Sequence, residues 1–344
     1  MRRSISGILA GVKVSVNSDA RTVEVEEGRP LLFGIMQAGI FIPSACGGRG
    51  SCGQCRVQFK DEVPPHNDAE RLLLTEQQRA AGFHLSCQVR VEGDLSIEIP
   101  ERFFSVRQYQ ARVAGIRDLT WEIREIILDV IGGVDFSFVA GQYVQVFLPG
   151  TESSVEPRYR AYSMASPPSA KPLLTFFVKR EPKGVVSPYL CDQLRPGDTL
   201  AIRGPFGDFR LQASEREILL IAGGSGLAPI RSMLLEMAQT PPARTTTLYF
   251  SARARRDLFA VEEMQSFQST LPGFRFIPAL SNPLPGDRWD GEKGGITAVL
   301  DRKLALLDNH EAYLCGSAGM IDASLRVLKT KGLPAELAFF DKFL

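Results

Sequence analysis

The sequence predicts a three-domain protein of mixed class, α+β and α/β. We expect an α+β domain over residues 1–104, an antiparallel β-barrel over 105–212 and a parallel-sheet α/β domain over 213–344. Three observations predict this organisation. An alternating hairpin pattern opens the chain, short strands separated by Gly and Pro fill its middle, and strands alternate with helices to its end. A chain of 344 residues has room for two or three domains.

The first domain begins with a hairpin. Val12–Val16 and Arg21–Val25 alternate apolar and polar residues, which is typical of two half-buried strands. A short helix is expected after Pro30, because proline suits the first turn of a helix, and it should end near Gly39. The other expected elements are a strand at 56–59, a helical or looping stretch near 68–82 and strands at 87–91 and 95–99.

The middle domain reads almost entirely as strands. Short strands at this spacing favour a closed antiparallel barrel. One helix is expected over 187–194. The expected strands lie at 110–116, 122–130, 142–148, 173–180 and 199–204.

The last domain alternates strands and helices. Because parallel strands need long crossover connections, this pattern predicts a parallel sheet covered by helices. Strands are expected at 217–222, 246–250, 274–280 and 311–315, and helices at 227–239, 257–269, 297–307 and 319–331.

Composition excludes several classes of protein. The formal net charge is only +1, which argues against nucleic-acid binding. No run approaches the ~18 apolar residues of a membrane helix. The apolar stretch after Arg2 and Arg3 is short and broken by glycines, so a leader is not expected either. Six cysteines are too few for a disulfide scaffold. We therefore expect a cytoplasmic protein with no integral membrane segment.

Four cysteines form the most informative pattern. Cys46, Cys52 and Cys55 have the spacing C-x5-C-x2-C, and Cys87 follows after 31 intervening residues. Four thiolates suit zinc or an iron–sulfur cluster, but zinc sites usually pair two short C-x2-C arms. The sequence therefore favours a [2Fe–2S] cluster, with zinc as the alternative. The three histidines lack the Cys-x-His pairing of a Rieske site, and His84 is expected to pack rather than to bind metal.

Glycines surround these cysteines, at positions 47, 48, 50 and 53. Glycine adopts positive φ without strain, so backbone amides can turn toward an anionic cluster and stabilise its charge.

At this point the sequence resembles a known family. A-C-G-G-R-G-S-C-G-Q-C-R-V is similar to the cluster loop in the F subunit of the sodium-pumping NADH:quinone reductase, which shares the five-residue first gap. The resemblance continues through R-A-Y-S from Arg160, G-P-F-G from Gly204, G-G-S-G-L-A-P from Gly223 and the final F-D-K-F. Reductase components of bacterial oxygenases resemble it in domain order. The implied fold is a β-grasp-like [2Fe–2S] ferredoxin domain, a β-barrel FAD domain and an α/β NAD-binding domain.

The resemblance implies residues for each cofactor. Arg160 would clamp the FAD pyrophosphate, Tyr162 would cover the flavin ring, Ser163 would hydrogen-bond near its reactive nitrogen, and Phe343 would stack on its other face. Further implied FAD contacts are Ala161, Phe177, Val178, Lys179, Gly184, Val185, Val186 and Ser187. The implied nucleotide contacts are Gly224, Gly226, Leu227, Pro229, Arg253, Cys315 and Gly316, with Ser163 and Cys315 assisting hydride transfer.

The nucleotide motif departs from two patterns. Gly224-x-Gly226-x-x-Pro229 lacks the third glycine and the acidic residue of a Rossmann fingerprint. Two prolines of the family's C-G-P-P-x-M segment are replaced here by Ser317 and Ala318. Arg255 and Arg256 could meet a 2′-phosphate, but the layout resembles that of NADH users, so NADH is favoured over NADPH.

The resemblance implies one activity. NADH would reduce FAD, and single electrons would leave through the [2Fe–2S] cluster to a partner protein, an oxygenase component. The pump's own subunit begins with a membrane helix and carries an insertion before R-A-Y-S. Neither is seen in this sequence, which favours the oxygenase reductase. The alternatives are a peripheral quinone-reductase component and, in another class, a non-catalytic redox sensor or carrier.

Overall fold

The structure, a computed structural model, describes residues 11–18, 20–60, 64–133, 135–239 and 244–343. The chain forms two compact units. Unit 1 consists of Met1–Gln108, Gln145–Ala161 and Ala201–Gly204, and unit 2 of Tyr109–Val144, Tyr162–Leu200 and Pro205–Leu344. The predicted domain limits at residues 104 and 212 stay predictions.

A five-stranded mixed sheet forms the N-terminal part of unit 1. Its strands are β1 (Gly11–Val16), β2 (Arg21–Glu26), β3 (Arg56–Phe59), β4 (Phe83–Leu85) and β5 (Leu95–Glu98). Their order is β2-β1-β5-β3-β4. β1 pairs antiparallel with β2, as the hairpin pattern predicts, and parallel with β5. The mixed sheet confirms the predicted β-grasp-like fold.

Three short helices accompany this sheet: α1 (Leu31–Gln37), α2 (Asp68–Leu73) and α3 (Glu76–Ala80). Six of the seven residues of α1 are buried, so this helix is held by packing. Pro30 stands at its N-cap, as expected. Asn67 and Thr75 each form a capping box that begins α2 and α3, which satisfies amides that the helices leave free.

The predicted strand over Cys87–Val91 is wrong. The strand in this region is β4, which begins four residues earlier and ends at Leu85, and the chain turns immediately after it. The amide of Gln88 donates to the carbonyl of Leu85 at 2.7 Å to close this turn. A strand through Cys87 would alternate its side chains along a straight line. The turn instead projects Cys87 toward the loop that carries the other three cysteines, residues 46–55, which we call the cysteine loop.

His84 packs in the core, as predicted. Its Nδ1 lies 3.1 Å from Oε1 of Glu70, and its ring stacks on His66 with centroids 4.0 Å apart. Glu70 also accepts a hydrogen bond from the amide of Leu85 at 2.9 Å. Both Glu70 and His84 are only 2 % exposed. This buried pair therefore links α2 to β4, just before the turn that carries Cys87.

The middle of the chain forms a six-stranded sheet. Its strands are β6 (Arg107–Asp118), β7 (Ile123–Ile131), β8 (Tyr143–Phe147), β9 (Tyr159–Ser163), β10 (Leu173–Lys179) and β11 (Thr199–Phe206). Their order is β10-β7-β6-β11-β8-β9. A bridge between Met164 and Phe176 connects the two ends of this order, so the sheet is close to the predicted barrel. The helix predicted over 187–194 is one α-helical turn, α4 (Val186–Pro188), followed by a π-helical turn at Tyr189–Gln193.

The C-terminal part of unit 2 is a parallel sheet. Its strands are β12 (Glu217–Gly223), β13 (Thr246–Ala252), β14 (Phe274–Leu280), β15 (Glu292–Lys293), β16 (His310–Ser317) and β17 (Ala338–Phe343). Their order is β15-β14-β13-β12-β16-β17. The sequence predicts β12 to β14 and β16, but not β15 and β17.

Helices cover both faces of this sheet, as expected. One core packs α5 (Leu227–Met237) and α6 (Val261–Thr270) against one side of β12 and β13. The other core packs α7 (Ile296–Lys303) and α8 (Ala318–Thr330) against the opposite side. In the part of the chain that the structure describes, every helix is too short or too polar to cross a bilayer.

Candidate redox centre and nucleotide-binding site

The four predicted cluster cysteines form two pairs in unit 1. The thiols of Cys46 and Cys52 hydrogen-bond to each other, and so do those of Cys55 and Cys87. Two irons that take two thiolates each need two adjacent pairs of this kind.

Each pair contains one thiol that ionises readily. The hydrogen bond from Cys52 lowers the pKa of Cys46 to about 4, and the bond from Cys55 lowers the pKa of Cys87. The partner thiols are shifted the other way by the same bonds and by burial, which raise the pKa of Cys52 and of Cys55. Since metal binding requires thiolates, each pair is prepared to exchange its protons for a metal ion.

The cysteine loop directs backbone amides at its own sulfur atoms. Gly47, Gly48, Gly50 and Gly53 all have positive φ, between 67° and 83°, which confirms the prediction for these glycines. Amides of the loop donate to the sulfur of Cys46 and lower the pKa of its thiol, and the Gly50 amide acts in the same way on Cys87. The donors to Cys46 are the amides of Arg49, Ser51 and Cys52. The donor set therefore fits an anionic cluster with four thiolates.

Gly47 brings this loop into contact with β9. A Cβ on Gly47 would lie 2.9 Å from the carbonyl oxygen of Tyr159 and 2.6 Å from Nη1 of Arg160. Arg160 itself donates from Nη1 to that carbonyl at 2.6 Å. The first residue of R-A-Y-S thus contacts the loop that carries Cys46, within unit 1. Ala161, its neighbour, is half-buried.

In unit 2, β9 continues to Tyr162 and Ser163. Tyr162 is half-buried, and Ser163 is 5 % exposed. The hydroxyl of Ser163 donates to the carboxylate of Asp341 on β17. Burial raises the pKa of Asp341 to about 6, and the bond from Ser163 opposes this rise. Asp341 also lies opposite Cys315 in the pairing of β16 with β17.

Asp341 is a candidate that the sequence analysis missed. The available signal was its position inside F-D-K-F, a carboxylate between aromatic residues. Phe343, two residues later, is half-buried in β17 and lies opposite Ser317. A strand therefore holds this aromatic residue in place.

The remaining flavin candidates divide between core and surface. Phe177 and Val178 are buried, and Phe177 packs edge-on against Phe259 at 5.3 Å, so only their backbones are available to a ligand. Lys179 is exposed and pairs with Glu181 at 3.2 Å.

The second flavin motif forms the expected turn. The amide of Gly184 donates to the carbonyl of Glu181 at 2.8 Å, and Oγ of Ser187 accepts from the amide of Glu181 at 3.0 Å. Val185 is 47 % exposed at the start of α4, whereas Val186 is buried. The turn therefore presents Gly184 and Val185 to solvent.

The glycine turn after β12 is tight on one side and open on the other. A Cβ on Gly226 would overlap the carbonyl of Cys315, so only glycine lets the end of β16 approach. Gly224 has a φ of +54° and open space around its missing Cβ, as close approach of a phosphate requires. Leu227 and Pro229 are buried in the core, which limits them to packing and backbone contacts.

Cys315 and Gly316 end β16 beside this turn. Cys315 is fully buried, and burial raises the pKa of its thiol well above its ordinary range. A protonated, buried thiol is a weak nucleophile. The assisting role of Cys315 stays a prediction. Cys191, expected to be a packing residue, is also buried.

Three arginines follow β13 and differ in their contacts. Arg255 donates from Nη1 to the carbonyl of Asp287 at 3.0 Å. Arg256 lies 5.5 Å from the ring centroid of Trp121. The exposed guanidinium of Arg253 makes no hydrogen bond or ion pair with any described residue. Arg253 is therefore the arginine that is available to a ligand.

Three family models match the chain, in the order of its sheets. They are a 2Fe-2S iron-sulfur cluster binding domain over residues 14–92, an oxidoreductase FAD-binding domain over 110–211 and an oxidoreductase NAD-binding domain over 220–326. The F subunit of the Na(+)-translocating NADH-quinone reductase of Neisseria gonorrhoeae is 33% identical over 374 residues, which cover 96% of this chain and 91% of the relative. The chain belongs to this family of iron–sulfur flavoprotein reductases.

A further relative and two solved structures also match nearly the whole chain. The corresponding F subunit of Methylococcus capsulatus is 32% identical over 375 residues, with 96% of this chain and 91% of the relative covered. The structure of Amycolatopsis cytochrome P450 reductase GcoB matches with a TM-score of 0.77 and 28% identity, over 96% of this chain and 98% of that one. A ferredoxin reductase in carbazole 1,9a-dioxygenase matches with a TM-score of 0.73 and 24% identity, over 97% and 99%, which supports the fold.

These matches show the cofactors and the general activity. As in its family, the chain carries [2Fe–2S], FAD-binding and NAD-binding domains and is an oxidoreductase that takes electrons from a nicotinamide nucleotide. The reductase relatives imply an electron-accepting partner.

Replacing Gly47 with alanine tests the contact between the cysteine loop and β9. We expect Gly47→Ala to lose at least half of its iron and sulfide, because positive φ costs a non-glycine residue about 1–3 kcal/mol and the methyl group would overlap Tyr159 and Arg160. Gly93→Ala is the control, since a Cβ there would have no neighbour within 4 Å. Full iron content in Gly47→Ala would contradict this account.

Replacing Asp341 with asparagine tests its link to Ser163. In the wild type, we expect the rate of flavin reduction by NADH, measured by stopped flow, to fall several-fold as the pH drops through about 6 and Asp341 becomes protonated. Above that pH, the carboxylate accepts the hydrogen bond from Ser163 and fixes the orientation of its hydroxyl. Asp341→Asn should be slow at every pH, and the control Asp322→Asn, whose carboxylate pairs with Lys342 on β17, should keep the inflection. An inflection retained in Asp341→Asn would refute the assignment.

Proposed function

We propose that this protein uses NADH to reduce FAD and passes single electrons through its four-cysteine [2Fe–2S] cluster to an oxygenase component. The observation that carries the proposal is the match to Amycolatopsis cytochrome P450 reductase GcoB. At 28% identity it covers nearly all of both chains. A cytochrome P450 is an oxygenase that receives electrons one at a time, which is the delivery that a [2Fe–2S] cluster provides.

A quinone-reductase component is the second candidate, and identity to the F subunits of the NADH-quinone reductases supports it. The alignment to the Neisseria gonorrhoeae relative extends over 374 positions, more than the 344 residues of this chain, so the relative contains inserted residues. The sequence lacks the insertion that these F subunits carry before R-A-Y-S. This difference supports the oxygenase partner over the quinone.

Bound FAD takes up two electrons as a hydride and releases them singly, while the cluster carries one at a time. We propose that Cys46, Cys52, Cys55 and Cys87 hold the two irons. On the FAD side, Arg160 binds the pyrophosphate, Tyr162 covers the ring and Ser163, oriented by Asp341, hydrogen-bonds near the reactive nitrogen. The phosphate contacts continue at Gly184, Val185, Val186 and Ser187, and the backbone of 177–179 borders the ring.

On the nucleotide side, we propose that Gly224 and Gly226 receive the pyrophosphate and that Arg253 binds the adenosine half. Cys315 and Gly316 border the nicotinamide, and Phe343 stacks on the flavin. Arg255 and Arg256 are already engaged by Asp287 and Trp121, which supports NADH as the donor. We also propose the cytoplasm as the compartment, since four thiolate ligands need a reducing environment for assembly.

A cysteine variant separates the flavin reaction from the cluster reaction. We expect Cys87→Ser to keep NADH–ferricyanide activity within about twofold of wild type and to lose about tenfold or more of NADH–cytochrome c activity, because only the second needs the cluster. Cys191→Ser, which changes a buried packing cysteine, should leave both activities intact. Wild type without ferricyanide turnover would favour the redox sensor, and reduction of ubiquinone-1 as fast as cytochrome c would favour the quinone alternative.

The arginines after β13 provide the test of cofactor choice. We expect Arg253→Gln to raise KM for NADH about tenfold with little change in kcat, because a ground-state contact with adenosine is lost. Arg256→Gln is the matched control and should change KM less than about twofold. Steady-state assays with NADH and NADPH check this, and a wild-type preference for NADPH would overturn the choice of NADH.

A further inference from the structure

Two consecutive residues of α5 are bonded to the chain just beyond R-A-Y-S. Nη1 of Arg231 donates to the carbonyl of Ala165 at 2.7 Å, and the hydroxyl of Ser232 donates to the carbonyl of Ser166 at 2.6 Å. Ala165, Ser166 and Ser232 are all buried. Ala165 follows Ser163, the last residue of β9, by two positions. The first half of α5 is therefore joined to the chain that leaves β9 by two hydrogen bonds.

Arg231 is held in place from two other directions. Its Nε lies 2.9 Å from both carboxylate oxygens of Glu263 on α6, and its Nη2 lies 2.7 Å from Oε1 of the same carboxylate. The guanidinium also lies 5.9 Å from the ring centroid of Phe177 on β10. A planar guanidinium bonded to a carboxylate in this way has a fixed orientation. Since Glu263 neutralises the charge, Arg231 supplies a fixed hydrogen-bond donor to Ala165.

The segment that accepts these bonds is itself fixed to β10. The amide of Ala165 donates to the carbonyl of Thr175 at 2.7 Å, and the amide of Thr175 donates to Oγ of Ser166 at 3.1 Å. Ala165 also packs in the core that contains Leu227, the first residue of α5. Both ends of the connection are thus firm, and a shift of α5 would have to stretch or break the two bonds to residues 165 and 166.

This connection links the two places where the reactants of hydride transfer are expected to lie. Gly226 ends the glycine turn, α5 begins directly after it, and Arg231 comes five residues after Gly226. On the other side, the bonded carbonyls lie two and three residues beyond Ser163. All of these residues belong to unit 2. The two bonds therefore hold the glycine turn at a fixed place relative to the strand that carries Ser163.

We propose that Arg231, assisted by Ser232, aligns the bound nicotinamide nucleotide for hydride transfer by holding the glycine turn against the chain that leaves β9. The inference rests on the proposed placement of FAD beside Ser163 and of the nucleotide on the glycine turn. Hydride transfer needs the reacting atoms in near contact, and a displacement of about 1 Å can lower a rate by up to about 10²-fold. Arg231 is a positioning residue, because it acts on the reaction through the placement of α5.

The test follows the reduction of FAD by saturating NADH in the full-length holoprotein, by anaerobic stopped flow. We expect Arg231→Met to lower the limiting rate per bound flavin by about tenfold or more and to change the apparent Kd for NADH less than about threefold. With NADH deuterated at the transferred position of C4, the isotope effect should be at least as large as in wild type, because hydride transfer is the step that slows. Arg231→Lys keeps a charged donor and should stay within about threefold of the wild-type rate.

Arg302→Met is the matched control. Arg302 also bonds a carboxylate and a backbone carbonyl, namely Oε2 of Glu292 at 2.9 Å and the carbonyl of Lys293 at 3.0 Å. It lies on α7, which covers the opposite face of the sheet from α5. We expect its limiting rate to stay within about twofold of wild type. An equal loss of rate in Arg302→Met and Arg231→Met would assign the effect to general destabilisation and overturn the inference.

The remaining outcomes separate the inference from the proposed function. An unchanged limiting rate in Arg231→Met would overturn the inference, and so would a loss confined to the Kd for NADH or the disappearance of the isotope effect. If Arg231→Met does not retain FAD, Ser232→Ala removes the second bond instead and must lower the limiting rate by about threefold or more. Because only the first half of the reaction is observed, an acceptor other than an oxygenase would contradict the proposed function and leave this inference standing. Wild type that NADH does not reduce would overturn both.

Discussion

A four-thiolate cluster can form in this protein because the loop between α1 and β3 turns its amides toward its own sulfur atoms. Four glycines with positive φ make this possible, and the turn after β4 adds Cys87 to the group. The thiols then stand in two pairs, each with one member prone to ionise. Without this geometry, the hydride that NADH delivers would have no single-electron outlet, and the other two domains would make a simpler flavoprotein.

Much of the architecture could be predicted from the sequence, because alternation and glycine spacing are local signals. The hairpin β1–β2, the strands of the near-barrel and the helices of the α/β part follow from such patterns. The strand expected at Cys87–Val91 was wrong because the chain turns after β4, where the amide of Gln88 donates to the carbonyl of Leu85. Strand β17 was missed because its mixed residues become a strand only by pairing with β16.

The candidate site also divides into residues that local sequence signals reveal and residues whose role depends on contacts in the fold. The four cysteines, R-A-Y-S and the glycine turn are contiguous motifs that can be recognised along the chain. Asp341 could not be found in that way, because its significance depends on Ser163, a partner on another strand. Burial and neighbouring charge, which decide its role, belong to the folded chain.

Exposure among the cluster cysteines is uneven, and this has a consequence for the lifetime of the protein in air. Cys46, Cys55 and Cys87 are buried, whereas Cys52 is partly open to solvent. Dioxygen and peroxide attack sulfur ligands that they can reach. Oxidative decay of the proposed cluster should therefore begin at the iron that Cys52 would bind. The lifetime of the protein in air then depends on the exposure of a single thiol.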